Sequence, residues 1–321
     1  MKLNKSPNPL RKLGKTLFSI ILKTIIPVFL FNGCSSQVSL NLINASSELN
    51  NRNYNQALNY LNQELSANPD NAEALFMRGK VYLFLEEFEK SLKDFNNAEY
   101  FGYDNFDLYQ NRGLTLINLG RAADALKDFD EAVLLNSQEH FNFFCRGYAF
   151  EQIGQDSLAL KDYNRAIELN KNEKKYFVNR AYLKSKLKDS RGAIDDFTDA
   201  IKLDSNEVTA YWGRANEFLR LNEYSSTILD LKYFLVRDKT NLEVFFFLAE
   251  TQSKINDITG AVETLSELIK IDSLNARSYF NRGKLFLQTG EKQKACNDFI
   301  KAGELGFFEA YEMIQKNCFK K

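Results

Sequence analysis

Residues 106–139 read FDLYQNRGLTLINLGRAADALKDFDEAVLLNSQE, and the same 34-residue frame returns along most of the chain. Its Arg112-Gly113 step recurs at Arg78-Gly79, Arg146-Gly147 and Arg282-Gly283. Gly79, Gly113 and Gly147 stand 34 residues apart, and Gly283 lies four such steps beyond Gly147. Counting outward, eight units tile residues 38–309 without insertion: 38–71, 72–105, 106–139, 140–173, 174–207, 208–241, 242–275 and 276–309. So strict a period marks stacked copies of one supersecondary unit rather than a single globular core.

Within each unit the pattern predicts two antiparallel helices. Position 8 is always small (Ala45, Gly79, Gly113, Gly147, Ala181, Ala215, Ala249, Gly283), and position 20 is Ala, Ser or Thr. Position 24 is always large and apolar: Leu61, Phe95, Phe129, Tyr163, Phe197, Leu231, Leu265 and Phe299. Small residues let two helices approach, and the large one fills the space they leave. Position 15 is Gly120, Gly154, Asn222, Asn256 or Gly290 in five copies, residues that accept the left-handed backbone ending a helix. Position 34 is Asn or Glu throughout, suited to the positive start of the next helix. Beyond Pro69 no proline interrupts a helix.

These marks resemble the tetratricopeptide repeat. So does Ala at position 27 (Ala98, Ala132, Ala166, Ala200 and Ala302), although Phe234 replaces it in repeat 6 and Pro69 alone keeps the proline of position 32. The resemblance implies an all-α, right-handed superhelical solenoid of eight antiparallel helix pairs. Residues 310–321 are expected to add a capping helix over the last repeat. It also implies a concave face lined by positions 2, 5, 9, 12 and 13 of the first helices. Carried onto this chain, those positions nominate Phe144, Tyr148, Tyr182, Trp212, Phe246 and Phe280 as a partner-binding groove, with an aromatic patch over repeats 4–6 edged by Lys175, Lys186 and Arg220. The alternative is that the aromatics of position 5 pack between neighbouring first helices.

A second regularity is charged. Position 7 is Arg78, Arg112, Arg146, Arg180, Arg214 and Arg282, and position 23 is Asp94, Asp128, Asp162, Asp196, Asp230 and Asp298. Both are missing in repeats 1 and 7. Antiparallel helices joined near position 15 bring positions 7 and 23 level, so the pairs are predicted to form within each repeat.

Outside the repeats the N-terminus reads as an address. Residues 1–33 carry six basic side chains and no acid, and LFSIILKTIIPVFLF spans residues 17–31. That order of charge, apolar stretch and small residues predicts a signal peptide over 1–33. The stretch is short for a membrane span, which needs about 20 apolar residues. Gly33-Cys34-Ser35 resembles the lipobox of bacterial lipoproteins, with Phe31 where Leu is usual. The resemblance implies lipidation at Cys34, a short tether at 34–37 and a place in the bacterial cell envelope. An uncleaved anchor with an incidental cysteine is the alternative. Three cysteines follow, Cys145, Cys296 and Cys318. Their odd number argues against a fully paired disulfide framework, and Cys296 falls on an apolar repeat position where core packing is expected.

The composition narrows the function. Beyond residue 33 the chain holds 36 basic against 42 acidic side chains, which opposes a nucleic-acid footprint. One histidine, His140, leaves no His-cluster metal site, and no phosphate loop, dinucleotide fingerprint, nucleophile elbow or paired C-x-x-C occurs. No metal, cofactor or catalytic residue is therefore expected. The reading is a membrane-tethered scaffold that binds a protein or peptide. A structural subunit of an envelope complex, or a non-catalytic accessory to an enzyme, stands as the alternative.

Overall fold

In a computed structural model, residues 39–319 are described. The expected signal peptide, Cys34 and the tether 34–37 lie outside the described residues. Seventeen helices and no strand occur among those residues. Repeats 1–4 supply the pairs α1 (Leu40–Asn50) and α2 (Tyr54–Ala67), α3 (Ala72–Phe84) and α4 (Phe88–Tyr100), α5 (Phe106–Asn118) and α6 (Ala122–Leu135), and α7 (His140–Gln152) and α8 (Asp156–Leu169). Repeats 5–8 supply α9 (Lys174–Lys186) and α10 (Ser190–Leu203), α11 (Val208–Arg220) and α12 (Tyr224–Arg237), α13 (Leu242–Lys254) and α14 (Ile258–Ile271), and α15 (Ala276–Gln288) and α16 (Lys292–Glu304). A last helix, α17 (Glu309–Asn317), follows. Two compact units divide at Asn170 and Lys171. The fold is an all-α solenoid of consecutive helix pairs.

The turn inside each pair has one backbone solution. Position 15 takes a positive φ in all eight repeats, at Arg52, Glu86, Gly120, Gly154, Lys188, Asn222, Asn256 and Gly290. Sequence marked only the Gly and Asn copies. At Arg52, Glu86 and Lys188 the geometry of the turn overrides a side-chain preference of about 1–2 kcal/mol. The next amide then closes the helix end, as Arg121 N–H does on the Leu116 carbonyl at 2.8 Å. At the starts of first helices, Asn71, Asn105 and Asn275 accept from the amides of Ala74, Leu108 and Ser278.

Positions 8 and 24 meet in the middle of each pair, and their volumes compensate. Glycine stands opposite the aromatic rings of Phe95, Phe129, Tyr163 and Phe299, whereas Ala45, Ala215 and Ala249 stand in the repeats that carry Leu61, Leu231 and Leu265. The reason is contact distance: a Cβ on Gly79 or Gly113 would lie 2.7 Å from the Phe95 or Phe129 ring. Repeat 5 breaks the rule with Ala181 and Phe197, and the following helix absorbs the difference. There Gly213, at position 6 of repeat 6, presents bare backbone to the Phe197 ring, where a Cβ would come within 2.2 Å.

The charged pairs form as the spacing predicts. All six arginines bond the position-23 aspartate of their own repeat, as Arg146 Nε does to Asp162 Oδ2 at 2.7 Å and Arg214 Nη2 to Asp230 Oδ1 at 2.7 Å. The aspartates are buried. Within each compact unit the guanidinium also reaches the preceding repeat, at position 25. Arg78, Arg112, Arg146, Arg214 and Arg282 donate through Nη1 to Asn62, Asn96, Asp130, Thr198 and Ser266. Each of these forks thus ties two second helices to one first helix, a geometry that Arg supplies and Lys does not.

The cysteines depart from expectation. Cys296 and Cys318 form a disulfide, so Cys296 is not a packing residue alone. Helix α17 takes the place of a ninth first helix and sets Cys318, at position 9 of that frame, against Cys296 at position 21. Cys145 is the odd one out and is free and buried. Met313 and Ile314 of α17 also close the cluster around Ala295 and Phe299.

Candidate functional site on the first-helix face

Of the six nominated aromatic residues, three are buried, and Tyr182, Trp212 and Phe280 are half-buried. Phe144 is fully buried, and Tyr148 and Phe246 are each only 7% exposed. Phe144 lies 5.6 Å from the ring of Tyr163 in its own repeat. Trp212 packs edge-on to Phe247 at 5.3 Å and tilts against Phe234. Tyr182 meets Phe197 edge-on at 5.1 Å, and its hydroxyl donates to the Thr209 carbonyl. Phe280 sits between Phe299 and Phe307. Phe246 is roofed by the Arg277 guanidinium, 4.0 Å above its ring, which Glu243 holds in place. At position 5, Phe144 and Phe246 are therefore packed among helices, while Trp212 and Phe280 keep part of their rings exposed. Bulk and spacing alone could not distinguish that role from an exposed stripe.

Charge on the first-helix face differs between the two units. In the second unit, position 13 is cationic in three successive repeats, Lys186, Arg220 and Lys254, and all three are exposed. Arg220 is steered by its neighbours: Nη1 donates to the Ser185 carbonyl and hydroxyl, and Glu217 accepts from it as well. In the first unit the same position is uncharged: Asn50, Phe84, Asn118 and Gln152.

The first unit instead holds a half-buried charge on this face. Lys80, at position 9 of repeat 2, sits 5.3 Å from the Phe76 ring centroid, and that ring stacks on Tyr103 at 4.4 Å. Burial pulls the Lys80 ammonium below its ordinary range and pushes the Asp107 carboxyl up, while the charge of each partly offsets the shift of the other. Burial also raises the Tyr103 hydroxyl to about 12. Nearby in sequence, Asn111 donates to the Asp107 carbonyl, and its own Oδ1 is buried with no hydrogen-bond partner. Sequence reading passed over Lys80, Asp107 and Asn111, because a charge on a helix ordinarily signals solvent. Among the described residues no group of His, Cys, Asp and Glu is arranged to hold a metal, and no described helix is long and apolar enough to cross a membrane.

Models of the tetratricopeptide repeat match residues 44–108 and, separately, residues 106–139, 175–207 and 276–305. Solved structures share the architecture. The C-terminal part of a TPR repeat-containing protein from Cytophaga hutchinsonii superposes with a TM-score of 0.63 at 16% identity, over 74% of this chain and 97% of that one. PilW, described as a widely conserved type IV pilus biogenesis factor, gives 0.61 at 19% identity, over 67% and 100%. PilF of Pseudomonas aeruginosa gives 0.54 at 14% identity, over 63% and 92%. At these identities the likeness is one of fold. No curated protein matches the chain.

Proposed function

We propose that this chain of tetratricopeptide repeats is a non-catalytic scaffold, exported and held to the bacterial cell envelope through a lipid on Cys34, that binds an acidic segment of a protein partner. The observation that carries the binding reading is the exposed cationic column of Lys186, Arg220 and Lys254, set one per repeat on the first-helix face. Opposite charge along such a column steers and registers an extended ligand. Two observations support export. The N-terminal sequence has the order of a lipoprotein signal, and the Cys296–Cys318 disulfide is of a kind that persists in oxidising compartments.

The test has two arms. Cys34→Ala is expected to abolish incorporation of labelled fatty acid, and label that persists would sink the anchor. Cross-linking at membranes followed by mass spectrometry is expected to recover a partner with the wild-type chain. Lys186→Glu, Arg220→Glu and Lys254→Glu together should cut that recovery about tenfold with unchanged helical content, an effect of about 1.4 kcal/mol. Recovery that survives charge reversal would remove this face from the proposal.

A further inference from the structure

The repeat frame sets aromatic rings at some junctions between repeats and leaves them out at others. At the junction of repeats 1 and 2, Tyr54 (position 17) stacks on Phe84 (position 13 of the next repeat), with centroids 5.2 Å apart and planes 16° from parallel. At the junction of repeats 3 and 4 the same two positions are Ala122 and Gln152. Both rings are absent, and a cleft of about 320 Å³ opens where they would lie.

Its walls have a defined chemistry. Ile117, Ile153, Ala122 and Ala123 supply apolar surface, and Tyr148 and Gln152 supply polar groups. Tyr148 is only 7% exposed, and its side chain lines the cleft with a hydroxyl that has no hydrogen bond among the described residues and is not sealed off. The first-turn amides of α6 also lie at the rim, and Arg121 before them offers no side-chain cap. The Arg121 guanidinium is engaged with Asp124 at 2.7 Å. A ligand here therefore meets aliphatic walls at the sides and hydrogen-bonding groups at the end.

We propose that this cleft is a binding subsite for a tyrosine side chain of the partner segment, whose ring takes the place that Tyr54 fills at the first junction and whose hydroxyl bonds Tyr148 and Gln152. The assignment rests on the scaffold reading for its partner but not for its chemistry, because the chain itself shows that an aromatic ring packs in this frame. An aliphatic side chain would leave the Tyr148 hydroxyl without a partner, a cost that separates ligands with and without the matching polar group.

The probe is N-acetyl-tyrosinamide, titrated into the isotope-labelled full chain and followed by amide chemical shifts. Shifts are expected within residues 117–124 and 148–153, with N-acetyl-leucinamide at least tenfold weaker. Ala122→Tyr with Gln152→Phe rebuilds the first-junction stack, and it should abolish the shifts while melting at or above the wild-type temperature. Tyr148→Phe keeps the ring and removes only the hydroxyl. It should erase the preference for N-acetyl-tyrosinamide over N-acetyl-phenylalaninamide, and it decides the matter if the double variant fails to fold. Shifts elsewhere, none at all, or equal binding by the filled cleft would overturn the proposal. Fragment binding without any protein partner would leave the subsite standing and defeat the scaffold reading instead.

Discussion

Repeats 4 and 7 have helices of the same lengths, 13 and 14 residues, and are held together differently. In repeat 4, Arg146 forks onto Asp162 and reaches Asp130 of the preceding repeat. In repeat 7 the corresponding positions are Leu248, buried against apolar neighbours, and Thr264, whose hydroxyl donates to Gln252 at 2.8 Å. The fold of the pair is indifferent to this exchange. Common to both is the compensated contact of positions 8 and 24, Gly147 with Tyr163 and Ala249 with Leu265. Packing builds the repeat, and the ion pair is one of two ways to satisfy the polar groups beside it.

If that lesson holds, removing the knob should hurt both repeats most. Tyr163→Ala and Leu265→Ala should cost about 3–5 and 2–5 kcal/mol, by lost burial and the cavity left behind. Chemical denaturation with a helical-content readout measures both. A knob that proved cheap in repeat 4 would mean that the charge pair, not the packing, carries that repeat.

The ladder itself comes next. Asp162→Ala strands a guanidinium that is one-fifth exposed, and it should cost about 3 kcal/mol, the lower end of the range for breaking a buried pair. Arg146→Leu with Asp162→Thr removes both charges but not Phe150, which stands where repeat 7 has the Gln252 partner of Thr264, and it should cost less than Asp162→Ala alone, because neither charge remains to be left unpaired. Additive losses would mean that the two side chains do not interact.

The smallest effect concerns the turn that both repeats share. Repeats 4 and 7 use Gly154 and Asn256 at the left-handed position, while repeat 5 uses Lys188 at φ 66°. Lys188→Gly should raise stability by about 0.5–1 kcal/mol, since the relief of the left-handed strain exceeds the added freedom of the unfolded chain. Gly154→Lys should lower it by a similar amount. A thermal melt of each variant checks the sign.

The helix pairs and their turns were legible because each depends on residues close in sequence and repeats every 34 positions. The Arg–Asp partners were legible for the same reason: positions 7 and 23 are fixed by one turn. The second hydrogen bond of each fork was not, because position 25 of the preceding repeat carries Asn, Asp, Thr or Ser and shows no constant mark. The disulfide escaped because pairing Cys296 with Cys318 depends on where α17 docks, and three cysteines offer no parity argument for any one pair.

The candidate site divides along the same line. Sequence by itself determined the period, the all-α architecture, the antiparallel pairs and the list of side chains on the first helices, since those follow from helical geometry applied to a repeated pattern. Only the tertiary structure decided which of those side chains reach solvent. Phe144 and Tyr148 share a face in the helical register, yet Phe144 is fully buried while Tyr148 lines a cleft beside Ala122. Exposure is a property of what packs against a residue, and that neighbour is set by the stacking of repeats rather than by the residue's own place in one.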